Sequence, residues 1–194
     1  MAQIALFHSV LGVRPGVHSA ADLLRSHGHE VTIVDQYDGK VFDDYETASA
    51  FATGIGYPAL MQRALDSVAD LPDEFVAAGF SNGGGMAQFV TMSRPGVRAA
   101  LLLSGVVDPA ELGLDSWPAG VPAQVHYTVD DPFRNAAWLE AGIDAIKRSG
   151  SELEQFDYPG AGHLFTDPSL LDEYQPGDAG VLWRRVLAFL DGLG

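Results

Sequence analysis

Short apolar runs alternate with segments of helical periodicity along this chain. The runs predict strands at residues 4–8, 30–35, 75–80, 99–104, 123–128 and 152–158. The periodic segments predict helices at about residues 17–27, 58–69, 83–92, 132–148 and 179–190. Strands that are nearly continuous in apolar residues are typical of a sheet covered by helices on both faces. We therefore predict a three-layer α/β fold with a mostly parallel sheet of about six or more strands.

Two longer stretches, residues 37–56 and 108–122, show neither pattern and are interpreted as irregular connections. No repeat, low-complexity tract or linker separates the predicted elements, so we expect residues 1–194 to form a single domain. Both stretches follow predicted strands. Because ligands bind beyond the carboxyl ends of parallel strands, we expect these stretches to shape a pocket.

The chain of 194 residues is strongly acidic, with 11 Lys and Arg against 26 Asp and Glu and a formal net charge of −15. Nucleic acids and anionic membranes bind clustered basic residues, so neither is an expected partner. The absence of Cys excludes disulfides, thiolate metal sites and a thiol nucleophile. The apolar runs are too short to span a bilayer, and no leader precedes the first predicted strand, so a cytoplasmic location is expected.

A glycine-rich turn follows the third predicted strand, where Gly79-Phe80-Ser81-Asn82-Gly83 has the pattern G-x-S-x-G. In this context a tight strand-to-helix turn holds a nucleophilic Ser in a strained conformation above the sheet. The amide of Asn82, at the start of the next helix, would face a developing oxyanion. The alternative is an ordinary turn in which Ser81 caps the helix. A phosphate-binding loop is disfavoured because neither G-x-x-x-x-G-K-[ST] nor G-x-G-x-x-G opens the first helix.

A Ser hydroxyl needs a base to remove its proton, and in this fold the base is expected to be a His that follows Ser81 in the chain. His163 lies in the loop after the last predicted strand, whereas His126 falls inside a strand and is interpreted as structural. The remaining histidines precede the turn and are interpreted as loop or helix-surface residues: His8, His18, His27 and His29. No pair has H-E-x-x-H spacing, so no metal site is expected.

Two adjacent carboxylates, Asp130 and Asp131, follow the fifth predicted strand and are candidates for the acid that orients the base. Either one also fits a turn or a helix N-cap before Pro132. We favour Asp131 and keep Asp130 as the alternative. The deciding observation is which carboxylate lies within hydrogen-bond reach of the His163 ring.

Motifs along nearly the whole chain resemble those of the dienelactone hydrolase family. The matching segments are residues 7–12, residues 34–37, the G-x-S-x-G turn, residues 131–133 and residues 158–165. The chain is similar to the compact members of this family, which have no lid domain. The resemblance implies an α/β-hydrolase fold, a triad of Ser81, His163 and Asp131, and an oxyanion hole made by the amides of Asn82 and Val10. Catalysis by such a triad needs neither a cofactor nor a metal, so none is expected.

Three positions depart from the family pattern. The family's enzyme has Cys where this chain has Ser81, Glu where this chain has Ser9, and Arg shortly after the His where this chain has Thr166 and Asp167. Ser in the turn favours an ordinary serine esterase. An Asp near the site would repel an anionic lactone, so a dienelactone is not the expected substrate.

Several residues near these loops are candidates for substrate contacts. The substrate-binding candidates are Leu11, Arg14, Phe133 and Phe165, and further aromatic candidates for an apolar acyl site are Phe42, Tyr45, Tyr57 and Trp117. Aromatic residues in loops also serve as ordinary packing, and Arg14 equally fits a solvated loop position.

The predicted function is hydrolysis of a small-molecule carboxylic ester or lactone through an acyl-enzyme, in a monomer or homodimer. A non-catalytic binding or regulatory module of the same fold is the alternative. The presence of Ser81, Asp131 and His163 in that order favours the enzyme. A flavodoxin-like nucleotide or flavin binder is disfavoured because residues 9–15 do not resemble a phosphate-cradling loop.

Overall fold

A six-stranded parallel sheet forms the centre of the computed structural model, which describes residues 1–194. Its strands are β1 (Gln3–Phe7), β2 (Glu30–Val34), β3 (Phe75–Phe80), β4 (Val97–Leu103), β5 (Ala123–Thr128) and β6 (Leu153–Tyr158). Their order in the sheet is β2-β1-β3-β4-β5-β6, and every neighbouring pair is parallel. All six predicted strands are confirmed, with ends that differ by at most two residues.

The strands in the middle of the sheet are buried on both faces. Nearly every residue of β1, β3, β4 and β5 is buried, and because successive side chains point to opposite faces, both faces must be covered by helices. The predicted three-layer fold is therefore confirmed. The edge strands β2 and β6 depart from the expected continuous apolar pattern, since several of their side chains are exposed to solvent. A strand at the edge of the sheet is covered less completely by the helical layers.

Five α-helices lie between the strands, and a sixth follows the last strand. They are α1 (Pro15–Ser26), α2 (Tyr45–Ile55), α3 (Tyr57–Val68), α4 (Asn82–Ser93), α5 (Ala136–Arg148) and α6 (Pro176–Gly192), with a short 3₁₀ helix at Pro109–Leu112. No helix has both the length and the apolar content that a membrane crossing requires. The helices α1, α3, α4, α5 and α6 correspond to the predicted ones, but α2 lies inside a stretch that was expected to be irregular.

The sequence pattern missed α2 because the helix buries only two small residues, Ala48 and Ala52. Its larger apolar residues, Tyr45, Phe51 and Ile55, are only partly buried, and small alanines make up the rest of the stripe, so the apolar pattern is weak. The helix begins where the Asp44 side chain accepts a hydrogen bond from the Thr47 amide at 2.7 Å. Helix α5 begins at Ala136 instead of residue 132, because the Asn135 side chain caps it by accepting from the Trp138 amide.

The chain reverses its direction across the sheet between β1 and β3. From β1 it moves to β2 on one side, and from β3 it moves through β4 and β5 to β6 on the other. The loops that leave the carboxyl ends of β1 and β3 therefore diverge, and such a switch point is where open α/β sheets bind ligands. Phe7 at the end of β1 pairs with Gly79 of β3, which brings the segments after both strands to the same edge.

Candidate active site

Ser81 immediately follows β3 and has an unusual backbone conformation, with φ 54° and ψ −118°. A positive φ is strained for a residue with a Cβ atom and persists only where the surroundings enforce it. Here the Ser81 amide donates to the Leu103 carbonyl at 2.7 Å, and the Ser81 carbonyl accepts from the Gly84 amide at 2.8 Å. The turn thus joins the neighbouring strand β4 to the first turn of α4.

Two glycines of the G-x-S-x-G turn leave no room for a side chain. A Cβ atom on Gly79 would lie 2.0 Å from the Gly83 carbonyl oxygen, and one on Gly83 would lie 2.3 Å from the His8 carbonyl oxygen. Both obstacles are backbone atoms, so neither can rotate away. The pattern found in the sequence therefore has a steric cause: β1, β3 and α4 approach one another too closely for any residue but Gly.

His163 connects Ser81 to a carboxylate. Its Nε2 lies 2.7 Å from Ser81 Oγ, and its Nδ1 lies 2.9 and 2.8 Å from the two carboxylate oxygens of Asp131. The side chain of Asp131 is fully buried, and its Oδ1 also accepts from the Phe133 amide at 2.8 Å. Asp130 is exposed to solvent and makes no side-chain contact with His163. Of the two candidate acids, Asp131 is therefore the one within reach of the His163 ring.

The loop that carries His163 is held from several sides. Ser104 Oγ donates to the His163 carbonyl at 2.9 Å. The amides on either side of His163 donate to side chains, Gly162 to Gln175 Oε1 at 3.1 Å and Leu164 to Glu173 Oε2 at 2.6 Å. Sequence reasoning missed these supporting residues because they are remote in sequence from Ser81 and carry no recognisable motif.

Val10 and Asn82 both line the cavity beside Ser81. Neither amide donates a hydrogen bond to another protein atom. Asn82 is the first residue of α4, so its N–H is one of those that a helix leaves without a partner. Val10 lies in a turn in which Ser9 Oγ accepts from the Leu11 amide at 3.2 Å. Ser9 thus stabilises the turn that presents the Val10 amide.

A cavity of about 450 Å³ opens beside Ser81 and His163. The apolar part of its wall is formed by Val10, Tyr45, Tyr57, Met61, Met86, Val106, Val107, Leu112, Tyr127, Phe133 and Trp138. Glu111 is the one carboxylate in the wall, and neither Lys nor Arg contributes to it. Glu111 also takes part in no ion pair within the protein. The cavity is therefore largely apolar with a negative charge at one point.

Of the four predicted substrate-binding residues, only Phe133 borders this cavity, and its ring centroid lies 4.7 Å from that of His163. Leu11 is fully buried in the core, and Phe165 is buried against Tyr158 with ring centroids 5.1 Å apart. Arg14 points away from the cavity, because its guanidinium donates to the Phe42 carbonyl at 2.7 Å and to Asp43 at 2.9 Å.

The remaining candidates divide in the same way. Tyr45 and Tyr57 border the cavity, whereas Phe42 and Trp117 do not. Asp167 also lies outside the cavity wall, where its carboxylate accepts from the amide and hydroxyl of Ser169 at 2.8 and 2.6 Å. The expected repulsion of anionic substrates by Asp167 therefore does not apply, and Glu111 is the carboxylate that a substrate would meet.

Two histidines that were expected at the surface are buried. His8 Nδ1 lies 2.6 Å from the Ser9 carbonyl, to which it donates in its neutral form, and its Nε2 accepts from the Gln36 amide at 3.1 Å. His29 Nδ1 accepts from the Ala2 amide at 3.2 Å. Burial lowers the pKa of both imidazoles. His8 directly follows β1, and the segment after β2 that contains Gln36 encloses it. The sequence alone does not show that these two segments meet.

His126 has the structural role that its position in a strand predicts. It is fully buried in β5, with its two ring nitrogens 2.8 Å from Tyr158 Oη and 2.8 Å from Gln124 Oε1. Burial lowers its pKa to about 3, with a further contribution from the positive charge of Arg185. No group of three or more His, Asp or Glu side chains is arranged to hold a metal ion.

A protein-family model and several solved structures resemble this chain. The model of the dienelactone hydrolase family matches residues 2–193. A search of curated protein sequences finds no match.

Among solved structures, a dienelactone hydrolase-like promiscuous phosphotriesterase from metagenomic libraries is 21% identical, with a TM-score of 0.83 over 100% of this chain and 87% of that chain. A Klebsiella pneumoniae protein assigned as a dienelactone hydrolase is 16% identical, with a TM-score of 0.75 over 97% and 85% of the two chains. Thermogutta terrifontis esterase 2, phosphonylated by cyclosarin, is 16% identical, with a TM-score of 0.64 over 100% and 83%.

At these identities the solved structures establish a common fold. The family model covers nearly the whole chain. The chain therefore belongs to the dienelactone hydrolase family and is a hydrolase of ester type.

Proposed function

We propose that this hydrolase cleaves carboxylic esters or lactones through an acyl-enzyme formed on Ser81. The observation that carries the proposal is the continuous line of hydrogen bonds from Ser81 Oγ through His163 to Asp131, at distances of 2.7 and 2.8 Å. A serine hydroxyl bonded to an imidazole that is itself oriented by a buried carboxylate is the arrangement that nucleophilic acyl transfer requires.

In the first step, Ser81 Oγ attacks the substrate carbonyl carbon while His163 Nε2 takes the hydroxyl proton. The carbonyl oxygen becomes an oxyanion, for which the unpaired amides of Asn82 and Val10, two residues of the cavity wall, are the proposed donors. Each such donor lowers the barrier by about 3 kcal/mol in comparable sites. Asp131 stabilises the imidazolium that forms and keeps the Nδ1 proton directed away from Ser81.

In the second step, His163 returns its proton to the leaving alkoxide as the carbon–oxygen bond breaks, and the acyl group remains on Ser81. His163 then takes a proton from a water molecule as that water attacks the acyl carbonyl. Collapse of the second tetrahedral intermediate releases the carboxylic acid, and the proton returns to Ser81 Oγ. Atoms and protons balance with water as the only co-substrate.

The cavity also favours a class of substrate. A volume of about 450 Å³ with a mainly apolar wall suits a small uncharged acyl or alcohol group. Because Glu111, an exposed residue, is the only carboxylate in the wall and no basic side chain balances it, a substrate with its own carboxylate would be weakly disfavoured. We therefore propose neutral esters or lactones as substrates, in preference to an anionic dienelactone.

The proposal is tested with a panel of p-nitrophenyl esters of increasing acyl length, hydrolysed by the wild type, Ser81→Ala and Ser49→Ala. Ser49 also borders the cavity but has no His partner, so it is a matched control. We expect Ser81→Ala to lose at least about 10³-fold in kcat and Ser49→Ala to stay near the wild type. A wild type without turnover on any ester would instead favour a binding module of the same fold.

A further inference from the structure

One carboxylate joins the His163 loop to helix α2 in the cavity wall. Glu173 Oε1 accepts from the Tyr45 hydroxyl at 2.8 Å, and Glu173 Oε2 accepts from the Leu164 amide at 2.6 Å. Tyr45 is the first residue of α2, and Leu164 directly follows His163. Both oxygens of this partly buried carboxylate are therefore used to connect segments that are far apart in the chain.

The loop from residue 159 to residue 165 needs support of this kind because it contains Gly160 and Gly162 and lies outside regular secondary structure. The segment before α6 packs directly on it, since a Cβ atom on Gly162 would lie 2.2 Å from the Glu173 carbonyl oxygen. Glu173 and Gln175 bind the amides on either side of His163. This segment thus holds the backbone on both sides of His163, while Asp131 holds the imidazole itself.

The second oxygen of the Glu173 carboxylate binds Tyr45, whose ring forms with the ring of Phe133 an aromatic cover over the His163 imidazole. The Tyr45 ring lies 5.9 Å from the His163 ring and 4.8 Å from the Phe133 ring, and Phe133 lies 4.7 Å from His163, all between centroids. Helix α2 is attached by Ala48 and Ala52, by Phe51 and Ile55, which pack partly buried against the core, and by the hydrogen bond of Tyr45. Burial and the bond to Glu173 raise the pKa of Tyr45, which keeps its hydroxyl available as a donor.

Resting on the proposed function, we propose that Glu173 is a positioning residue that fixes His163 and the Tyr45–Phe133 cover in one arrangement. It touches neither the substrate nor the reacting atoms, and it acts by limiting the motion of the base and of the rings around it. Small displacements of a catalytic group are costly, because a shift of about 1 Å lowers the rate about a hundredfold.

The test compares Glu173→Ala, which removes both contacts, with Glu173→Gln, which retains them. In the Gln variant the amide oxygen accepts from Leu164, and the amide nitrogen donates to the Tyr45 hydroxyl. We expect Glu173→Ala to lower kcat between about tenfold and a hundredfold, and Glu173→Gln to stay within about threefold of the wild type. Asp172→Ala is the matched control, because this neighbouring carboxylate is exposed and makes no side-chain hydrogen bond.

A second variant, Tyr45→Phe, removes only the hydrogen bond between Tyr45 and Glu173. We expect it to lower kcat by about threefold in the wild type and to have no further effect in Glu173→Ala, since its partner is already gone. Should Glu173→Ala fail to fold, Tyr45→Phe and Glu173→Gln still carry the test. Unchanged kcat in Tyr45→Phe, or equal losses in Glu173→Gln and Glu173→Ala, would overturn the proposal.

A spectroscopic measurement separates this proposal from the proposed function because it needs no substrate. The proton between His163 Nδ1 and Asp131 should give a far-downfield NMR resonance in the wild type. We expect this resonance to broaden or vanish in Glu173→Ala and to persist in Glu173→Gln and Asp172→Ala. A sharp, unshifted resonance in a folded Glu173→Ala would overturn the positioning role even if the enzyme hydrolyses no ester in the panel.

Discussion

The two sides of the cavity are built by different means. On the side of the sheet, backbone atoms fix the geometry: Ser81 is held at a positive φ, and Gly79 and Gly83 approach other backbone atoms too closely for a methyl group. On the side of α2 and α3, side chains such as Tyr45 and Met61 form the wall, and α2 buries only two alanines. The sheet side carries the proposed chemistry, and the helical side shapes the space for the substrate.

The two sides therefore depend on different features of the sequence. The reactive geometry depends on short local sequences whose residue types are dictated by steric fit. The substrate wall depends on how separate helices pack, so a single change there alters selectivity more readily than it destroys the site. Changes on the two sides should therefore have effects of different kind and size.

The largest effect is expected from Asp131→Asn on the sheet side. An amide keeps the shape of the side chain but favours the wrong tautomer of His163, which costs about 10⁴-fold in kcat in a comparable triad. Asp130→Asn is the matched control, because the exposed Asp130 makes no contact with the imidazole. Steady-state kinetics on one ester compares the two variants, and equal losses of kcat in both would refute the assignment of Asp131.

Gly83→Ala should be the most destabilising of the stability variants. Its new methyl group would lie 2.3 Å from the His8 carbonyl oxygen, and we expect a loss of about 3 kcal/mol or more in the free energy of unfolding. Gly54→Ala in α2 meets no atom within 4 Å and should stabilise the protein by up to about 1 kcal/mol. Urea denaturation measures both, and a neutral Gly83→Ala would contradict the account of a backbone-limited turn.

The same contrast explains what the sequence could predict. The six strands were predictable because four of them are buried on both faces and are nearly continuous in apolar residues. Ser81, Asp131 and His163 were proposed from local motifs and chain order, and the structure brings their side chains together. Helix α2 was missed because buried alanines give little periodicity, and Arg14 was misassigned because only the fold shows that it turns toward Phe42 and Asp43.

Acid should weaken the sheet side, which contains the buried neutral histidines His8 and His126. The folded pKa of His126 is about 3, below the value of 6.5 expected in the unfolded chain. The unfolded state therefore binds a proton that the native state excludes, and stability present above pH 6.5 is lost as the pH falls toward 3.

For His126 alone this loss is about 2 kcal/mol between pH 6.5 and about pH 5. The measurement is the free energy of unfolding against pH for the wild type and His126→Gln. We expect the variant to have a shallower slope over this range, whatever its stability at neutral pH. Identical slopes would mean that His126 does not titrate on unfolding as proposed.

The smallest effect is expected from Glu111→Gln on the wall of the cavity. Removing this charge should raise kcat/KM for an ester that carries a carboxylate by only about threefold, because an exposed charge is well screened, and should leave esters without a charge unchanged. Glu140→Gln, an exposed change in α5 outside the cavity wall, is the control. Paired charged and neutral esters at low salt provide the measurement, and a loss of activity toward neutral esters would contradict the assigned role.

The central claim, that Ser81 is a nucleophile activated by His163, is tested most directly by covalent labelling. The wild type, Ser81→Ala and His163→Ala are incubated with a fluorophosphonate, and intact mass followed by peptide mapping locates the adduct. The account predicts a single adduct on Ser81 in the wild type, none in Ser81→Ala and strongly slowed labelling in His163→Ala. A wild type that stays unlabelled, or an adduct that persists in Ser81→Ala, would contradict it.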